Sequence, residues 1–377
     1  MPLQNYKRVV IKIGTSVLTA PDGKLDTKQL ASSFEDLARV IAQGIEAVLV
    51  TSGAVAMGKS ALRALPRNEH GRQACAAIGQ PLLMHAYGEL AAHHRLTIAQ
   101  LLITREDFDD RARYLNIRNT LHALLNMNVL PIINENDVVA AEVVGGDAFG
   151  GNDAVAAMVG LLIDADLLLI LGETDGVLDA PPEIGRAKRI PVVKQINEEL
   201  LSVVGKDSPL GRGGMKRKLE AAKLATHSGI ETIIANGRQE GVITNIILHA
   251  ADTGTRVLPA QEAHSSRDRW LIGGVVQKGS VTVDANAAKA LQKGKSLLPI
   301  GILEVQGNFG RGEAIRVLDE RGASIAVGLA NYASGDLNKI KRLPSSEIET
   351  LLGYSAGDEA IHKDNLALTN STLTYGK

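Results

Sequence analysis

The chain has 377 residues and carries 41 Lys plus Arg against 42 Asp plus Glu, a formal charge of −1, which excludes a globally basic nucleic-acid binder and an acidic solvating protein. Hydrophobic residues at 45%, charged residues at 22%, 38 Gly and 12 Pro exclude collagen-like, mucin-like and wholly disordered chains and leave ample material for a core. At roughly 150 residues per domain this length predicts two domains. The single cysteine, Cys75, has no internal disulfide partner, and the amino terminus MPLQNYKRVVIKIG lacks a charged-then-apolar secretion signal, so a reducing cytoplasm is expected. The longest apolar runs fall far short of the roughly 20 residues that cross a bilayer, so no membrane contact is expected.

Along the chain, β-branched apolar runs at Val9 to Ile13, Ala47 to Val50, Ala99 to Ile103, Val129 to Ile133 and Leu167 to Leu171 alternate with segments of helical spacing. The helical segments are Thr27 to Gly44, Arg72 to His94, Tyr114 to Met127, Asp153 to Leu162 and Met215 to Gly229, with Gly44 and Gly229 at stop positions. A further strand is predicted at Thr232 to Ala235. Such alternation predicts an α/β fold, a parallel sheet with helices on both faces. Beyond about residue 250, AADTGTRVLPAQEAHSSRDR loses periodicity and predicts a linker or surface loop. The carboxyl region turns to short alternating segments with one helix, Ala285 to Lys293, and a hairpin over Ala314 to Val327 closing near DERG. Domains are therefore expected at 1–258 and 279–370, joined by 259–278, the second small and β-rich.

Five clusters carry chemistry. The first strand runs into Lys12-Ile13-Gly14-Thr15-Ser16, a turn able to bring backbone N–H groups and one ammonium to phosphate oxygens. It is not the GxxxxGK[ST] loop, because the lysine precedes the glycine; alone, it reads first as a plain strand exit. The second strand ends in Thr51-Ser52-Gly53-Ala54-Val55-Ala56-Met57-Gly58, a small-residue turn at the sheet edge where open α/β sheets gather ligands, although Gly53 and Gly58 also suit tight helix packing. Asn134-Glu135-Asn136-Asp137 and Phe149-Gly150-Gly151-Asn152-Asp153 crowd polar groups at strand and helix ends. Asn152 or Asp153 could simply cap the next helix, but four polar groups in NEND exceed what one cap uses. Last, Gly211-Arg212-Gly213-Gly214-Met215-Lys216-Arg217-Lys218 opens a helix with glycines and four cations, a setting for a phosphate or a solvated basic turn. No CxxC or HExxH occurs, which argues against zinc, and Ser52 in TSGA does not sit in a GxSxG elbow, which argues against it as an acyl nucleophile.

The ordered set VVIKIGTSVL, VTSGAVAMG, AIGQ, YLNIRNTL, INENDVV, FGGND and GRGGMKRKLEAA resembles the glutamate 5-kinases, a family of the amino-acid kinase superfamily, from residue 8 to about 250. The carboxyl module, with GNFGRGEAIRV, is similar to the PUA domain. The resemblance implies a three-layer αβα sandwich around a mainly parallel sheet, ATP and Mg²⁺ as cofactors, and phosphorylation of the L-glutamate side-chain carboxylate as the first step of proline synthesis. By it, Lys12 and Lys218 are the catalytic pair, and Ser52, Gly53, Ala54, Asp137, Asn152 and Asp153 hold the amino acid. The nucleotide would be bound by Lys12, Gly14, Gly172, Glu173, Arg212, Gly213, Gly214, Met215, Lys216, Arg217 and Lys218. Proline as a feedback inhibitor and assembly as a homodimer or homotetramer are also implied.

Three departures from the family pattern stand out. Gly151 occupies a position usually acidic, Gly172-Glu173-Thr174-Asp175-Gly176-Val177-Leu178-Asp179 replaces TDxxGLYT, and Arg217 replaces the threonine of GGMxTK. The first removes a carboxylate near the expected glutamate site; Glu173 could still serve for the family aspartate, one methylene longer. Two alternatives follow: a phosphotransferase of the same fold acting on another small carboxylate, and a catalytically weakened regulatory protein that binds RNA through its PUA-like module. RNA is not expected, because Lys293, Lys295, Arg311, Arg316 and Arg321 are interspersed with acids and lack interleaved aromatics.

Overall fold

The structure is a computed structural model describing residues 6–62, 68–140, 151–180, 187–203, 214–259 and 276–369. It divides into two compact units, Met1–Ala263 and His264–Lys377.

The first unit is built on an eight-stranded sheet. Strands β1 (Arg8–Ile13), β2 (Glu46–Val50), β3 (Thr97–Ile103), β4 (Val129–Glu135), β5 (Leu167–Gly172), β6 (Val192–Val193), β7 (Glu231–Asn236) and β8 (Thr255–Val257) lie in the order β3-β4-β2-β1-β5-β7-β8-β6. Every pairing is parallel except β7 with β8. β1 and β5 are buried almost throughout, as the continuous Val, Ile and Leu runs require when helices cover both faces. The chain leaves β1 toward β2 on one side and later returns as β5 on the other. That reversal places the carboxyl end of β1 at a topological switch point, where open sheets form their crevice.

Helices α1 (Thr15–Leu18), α2 (Thr27–Ala42), α3 (Ala54–Leu62), α4 (Glu69–His93), α5 (Arg111–Asn126), α6 (Asn152–Leu162), α7 (Glu198–Val203), α8 (Met215–His227) and α9 (Val242–Ile247) complete the unit. α2 starts where Asp26 accepts from the Gln29 amide, and α4 where Asn68 accepts from Gly71, ordinary Asx caps. α3 and α4 touch backbone to backbone. A Cβ on Gly58 would lie 1.9 Å from the Cys75 carbonyl oxygen, and one on Gly79 would lie 1.8 Å from that of Ala54. α6 is buried on every side from Asp153 to Leu162, as an all-round apolar helix must be.

Two expectations are corrected. The small-residue turn after β2 stops at Gly53, whose φ of +107° makes the bend; Ala54 to Leu62 is helix, because Ala, Met and Leu are strong helix formers. Within the stretch predicted to be linker or loop, Thr255–Val257 is the strand β8, hydrogen-bonded to both β7 and β6. A three-residue strand has too short an alternation for periodicity to reveal it. Helix α7 and strand β6 also escaped prediction for want of length.

The second unit has a five-stranded sheet of β9 (Gly279–Val283), β10 (Ile302–Gly307), β11 (Ala314–Leu318), β12 (Ser324–Leu329) and β13 (Leu366–Leu368), ordered β10-β9-β11-β12-β13. α10 (Ala285–Gln292), α11 (Ser334–Ile340) and α12 (Ile348–Leu352) accompany it. β11 and β12 form the predicted hairpin. Asp319 closes it by accepting from the Arg321 and Ala323 amides, and Gly322 takes a positive φ. The core holds Val281, Phe309, Ile315, Val317, Tyr332 and Ile361.

Candidate active site

The chemistry-bearing clusters converge at the carboxyl ends of β1, β2, β4 and β5. Alternation along β1 puts Lys12 on the face opposite Ile11 and Ile13, paired with Val50 of β2 and Ile170 of β5. Lys12 is 5% exposed, and its side chain ends 2.6 Å from Asp153 Oδ1. Lys218, 9% exposed on the first turn of α8, reaches the other oxygen, Oδ2, at 4.0 Å. Residues 206 positions apart therefore share one buried carboxylate.

Two glycines make the room. Gly14 donates to the Leu171 carbonyl at 3.1 Å, and a Cβ there would meet that oxygen at 3.2 Å and the Lys12 ammonium at 3.6 Å. A Cβ on Gly172 would press on Lys218 Cε at 3.0 Å. The first would crowd the Leu171 carbonyl beside Lys12, and the second would push Lys218 aside.

Asp153 is the second residue of α6. Its helix is capped by Gly151, which has no side chain to contribute, so Asp153 is no cap. Expected on the substrate side, its carboxylate instead has two ammonium neighbours. Burial alone would raise its pKa, but Lys12 first and Lys218 second outweigh that and hold the carboxyl below the usual 3.8. Lys218 is pushed down, mainly by burial and despite Asp153. Burying such a charge cluster costs several kcal/mol per ion before pairing. Val155, Met158, Val159, Leu161 and Leu162, each essentially fully buried and contributing about 1.5 to 3 kcal/mol, anchor α6 against that cost.

Beside this cluster runs a chain of amides. Asn152 Nδ2 donates to Ser52 Oγ at 3.2 Å and to Asn134 Oδ1 at 3.0 Å. The Glu135 backbone N–H donates to Asn134 Oδ1 and to Asn152 Oδ1, both at 3.0 Å. Asn134 Nδ2 in turn donates to Gln80 Oε1 at 2.8 Å. Thr51, whose hydroxyl lies 2.7 Å from that of the fully buried Tyr87, steadies the turn carrying Ser52. A cavity of about 240 Å³ opens where this network ends, lined by Ala54, Gln80, Pro81, Glu135, Asn136 and Asp137 among others. Asp137, partly exposed, has the Arg72 guanidinium 4.0 Å away.

The residues expected from the sequence to bind the nucleotide lie apart from this network. Gly214 caps α8 without a side-chain bond, and the amino-terminal end of a helix favours an anion. Met215 and Arg217 are partly buried, Lys216 is exposed, and exposed Glu173 acts electrostatically on Lys218. Arg212 and Gly213 lie outside the described residues. Asn134 was read from the sequence only as part of the NEND cluster, and Gln80 was not singled out; AIGQ was noted, but nothing in a single helix turn announces that its glutamine meets β4.

The arrangement offers two buried ammonium groups at a helix N-terminus beside a hydroxyl and amide network, a combination for moving a phosphoryl group. The chain matches the amino acid kinase family model over residues 7–236 and the PUA domain model over 279–352. It is 44% identical over 368 residues to the glutamate 5-kinase of Dehalococcoides mccartyi strain CBDB1, covering 96% of this chain and 98% of that one. The glutamate 5-kinase of Trichlorobacter lovleyi is 45% identical over 375 residues, covering 97% and 98%. The solved carbamate kinase of Giardia lamblia bound to AMP-PNP is 17% identical, covers 67% of this chain and 99% of its own, and has a TM-score of 0.47. The chain belongs to the amino acid kinase family, and within it to the glutamate 5-kinases. Among the described residues no helix is long and apolar enough to cross a membrane.

Proposed function

We propose that this chain transfers the γ-phosphoryl group of ATP to the side-chain carboxylate of L-glutamate, giving glutamyl 5-phosphate and ADP at the entry to proline synthesis. The single observation that carries this reading is the carboxylate of Asp153 shared by Lys12 and Lys218.

A glutamate carboxylate oxygen attacks the γ-phosphorus, and the bond to the β–γ bridging oxygen breaks with its electron pair leaving on ADP. The carboxylate is already ionised at neutral pH, with a reference pKa of about 4.3, so no general base is needed. What the protein supplies is position and positive charge. Lys12, at the switch point, is cast on the transferred group. Lys218 and the start of α8 are cast on the phosphate tail. Asp153 keeps both ammonium groups oriented before the nucleotide arrives and makes no contact with substrate. Asp137 receives the substrate ammonium, while Ser52 and Asn152 orient the acceptor carboxylate.

Among the described residues no group of three or more His, Cys, Asp and Glu side chains could hold a metal. Mg²⁺ would enter this site on the nucleotide, held chiefly by phosphate and water, and would neutralise phosphate charge there; Glu173, whose charge acts on Lys218, is an acidic side chain that could help to hold it. The test is hydroxamate formation from glutamate, ATP, Mg²⁺ and hydroxylamine, and a purified protein that forms none would refute the assignment. A second reading, transfer to a different small carboxylate, is favoured by one observation, the missing acid at Gly151. An acceptor screen that turns up a better substrate than glutamate selects it.

A further inference from the structure

We propose that Gln80 is a specificity residue whose amide nitrogen donates a hydrogen bond to the α-carboxylate of the acceptor amino acid. The inference rests on the glutamate kinase reading and adds a residue to it.

The argument begins with a backbone N–H, which can only donate. The Glu135 amide points at Asn134 Oδ1 and Asn152 Oδ1, which fixes the orientation of both asparagines. Asn134 must then present Nδ2 to its remaining neighbour, and that neighbour, Gln80, must answer with Oε1. The Gln80 nitrogen is thereby turned away from the network. The residue is 8% exposed, and among the described residues Nε2 has no hydrogen-bond partner. A buried donor left unmade is destabilising, and a site tolerates it when a ligand supplies the acceptor.

The side chain lines the same cavity as Asp137 and Asn136. An anion-binding donor beside an ammonium-binding carboxylate is the pair that recognises an α-amino acid. Gly79 delivers this placement: because it has no side chain, α4 contacts the start of α3 at Ala54, and the next residue reaches Asn134. Pro81, just beyond, has no N–H for the Ala77 carbonyl one turn earlier, and both residues also line the cavity.

The test uses the full chain and two acceptors, L-glutamate and L-isoglutamine, which keeps the γ-carboxylate but carries an α-carboxamide. Wild-type protein should prefer glutamate by kcat/KM by about tenfold or more, the range of a hydrogen bond to a charged group. Gln80→Glu still accepts from Asn134 but loses the donor and repels a carboxylate. Its KM for glutamate should rise at least about tenfold with kcat within about twofold, and its preference should shift toward isoglutamine by a similar factor. Should Gln80→Glu fail to fold, Gln80→Met reads the same ratio, expected to fall toward one. Equal use of both acceptors by wild type, or an unchanged preference in either folded variant, overturns the assignment. Absence of turnover with both acceptors instead sinks the glutamate reading beneath it.

Discussion

The Lys12 ammonium lies 2.6 Å from Asp153 Oδ1, and both side chains are almost wholly withdrawn from solvent. An ion pair in such surroundings is held by its partners rather than by water, and the second ammonium, on Lys218, leaves the cluster with an excess of positive charge that a polyphosphate would neutralise.

In the proposed mechanism, removing a lysine takes away charge needed in the transition state. Lys12→Met and Lys218→Met should each lower kcat by about 10²- to 10³-fold, the scale of losing one preorganised donor. Asp153→Asn should do the same while also destabilising the fold by about 3–5 kcal/mol, because two buried ammonium groups lose their counter-charge. Steady-state kinetics beside urea denaturation checks both; an active, equally stable Asp153→Asn would contradict the role given to the carboxylate.

Acid should weaken the protein partly through this residue. The folded pKa of Asp153 lies below 3.8, so at low pH the unfolded chain takes up its proton first. Its contribution to stability is present above 3.8 and is lost as pH falls from there through the folded value. Urea midpoints measured from about pH 6 to pH 3 should therefore fall more steeply for wild type than for Asp153→Asn. Parallel curves would count against the shift.

The α3 and α4 crossing predicts a contrast between two glycines of one helix. Gly79→Ala forces a methyl into the Ala54 backbone, and Gly88→Ala meets nothing within 4 Å. The first should cost about 3 kcal/mol or more. The second should be neutral or stabilise by up to about 1 kcal/mol, since alanine is the better helix former. Thermal melting of the two variants, side by side, decides.

Gly151 adopts φ 88° and ψ 175°, a region essentially confined to glycine. Gly151→Asp, which restores the acid of the family pattern, should cost about 1–3 kcal/mol in stability and should not lower the KM for glutamate unless the backbone there rearranges. A variant with wild-type melting and tighter glutamate binding would show that this segment readily takes another conformation.

Much of this site can be found by reading the chain. Lys12, Ser52, Asn152 and Lys218 each stand where a long apolar run or helical pattern meets glycine and polar residues, and such punctuation survives in one dimension. The destination of Asp153 does not: an Asx residue at a helix start suggests a cap, and only the three-dimensional arrival of two lysines shows otherwise. Gln80 is harder still, since its meaning depends on which oxygen of Asn134 a distant backbone amide selects. Short elements such as Val192–Val193 and Thr255–Val257 fall below the length at which alternation can be recognised. Their pairing comes from the sheet edge that receives them.

The placement of Lys12 on β1 has a consequence for how folding errors reveal themselves. Ile11 and Ile13 point the other way, so a one-residue slip against Val50 and Ile170 would drive the ammonium into hydrocarbon and swing an isoleucine toward Asp153. No half-competent version of this strand exists between those two alignments. A preparation containing misaligned molecules should thus behave as a mixture of fully working and fully dead protein, its specific activity counting the correctly threaded fraction while KM stays constant.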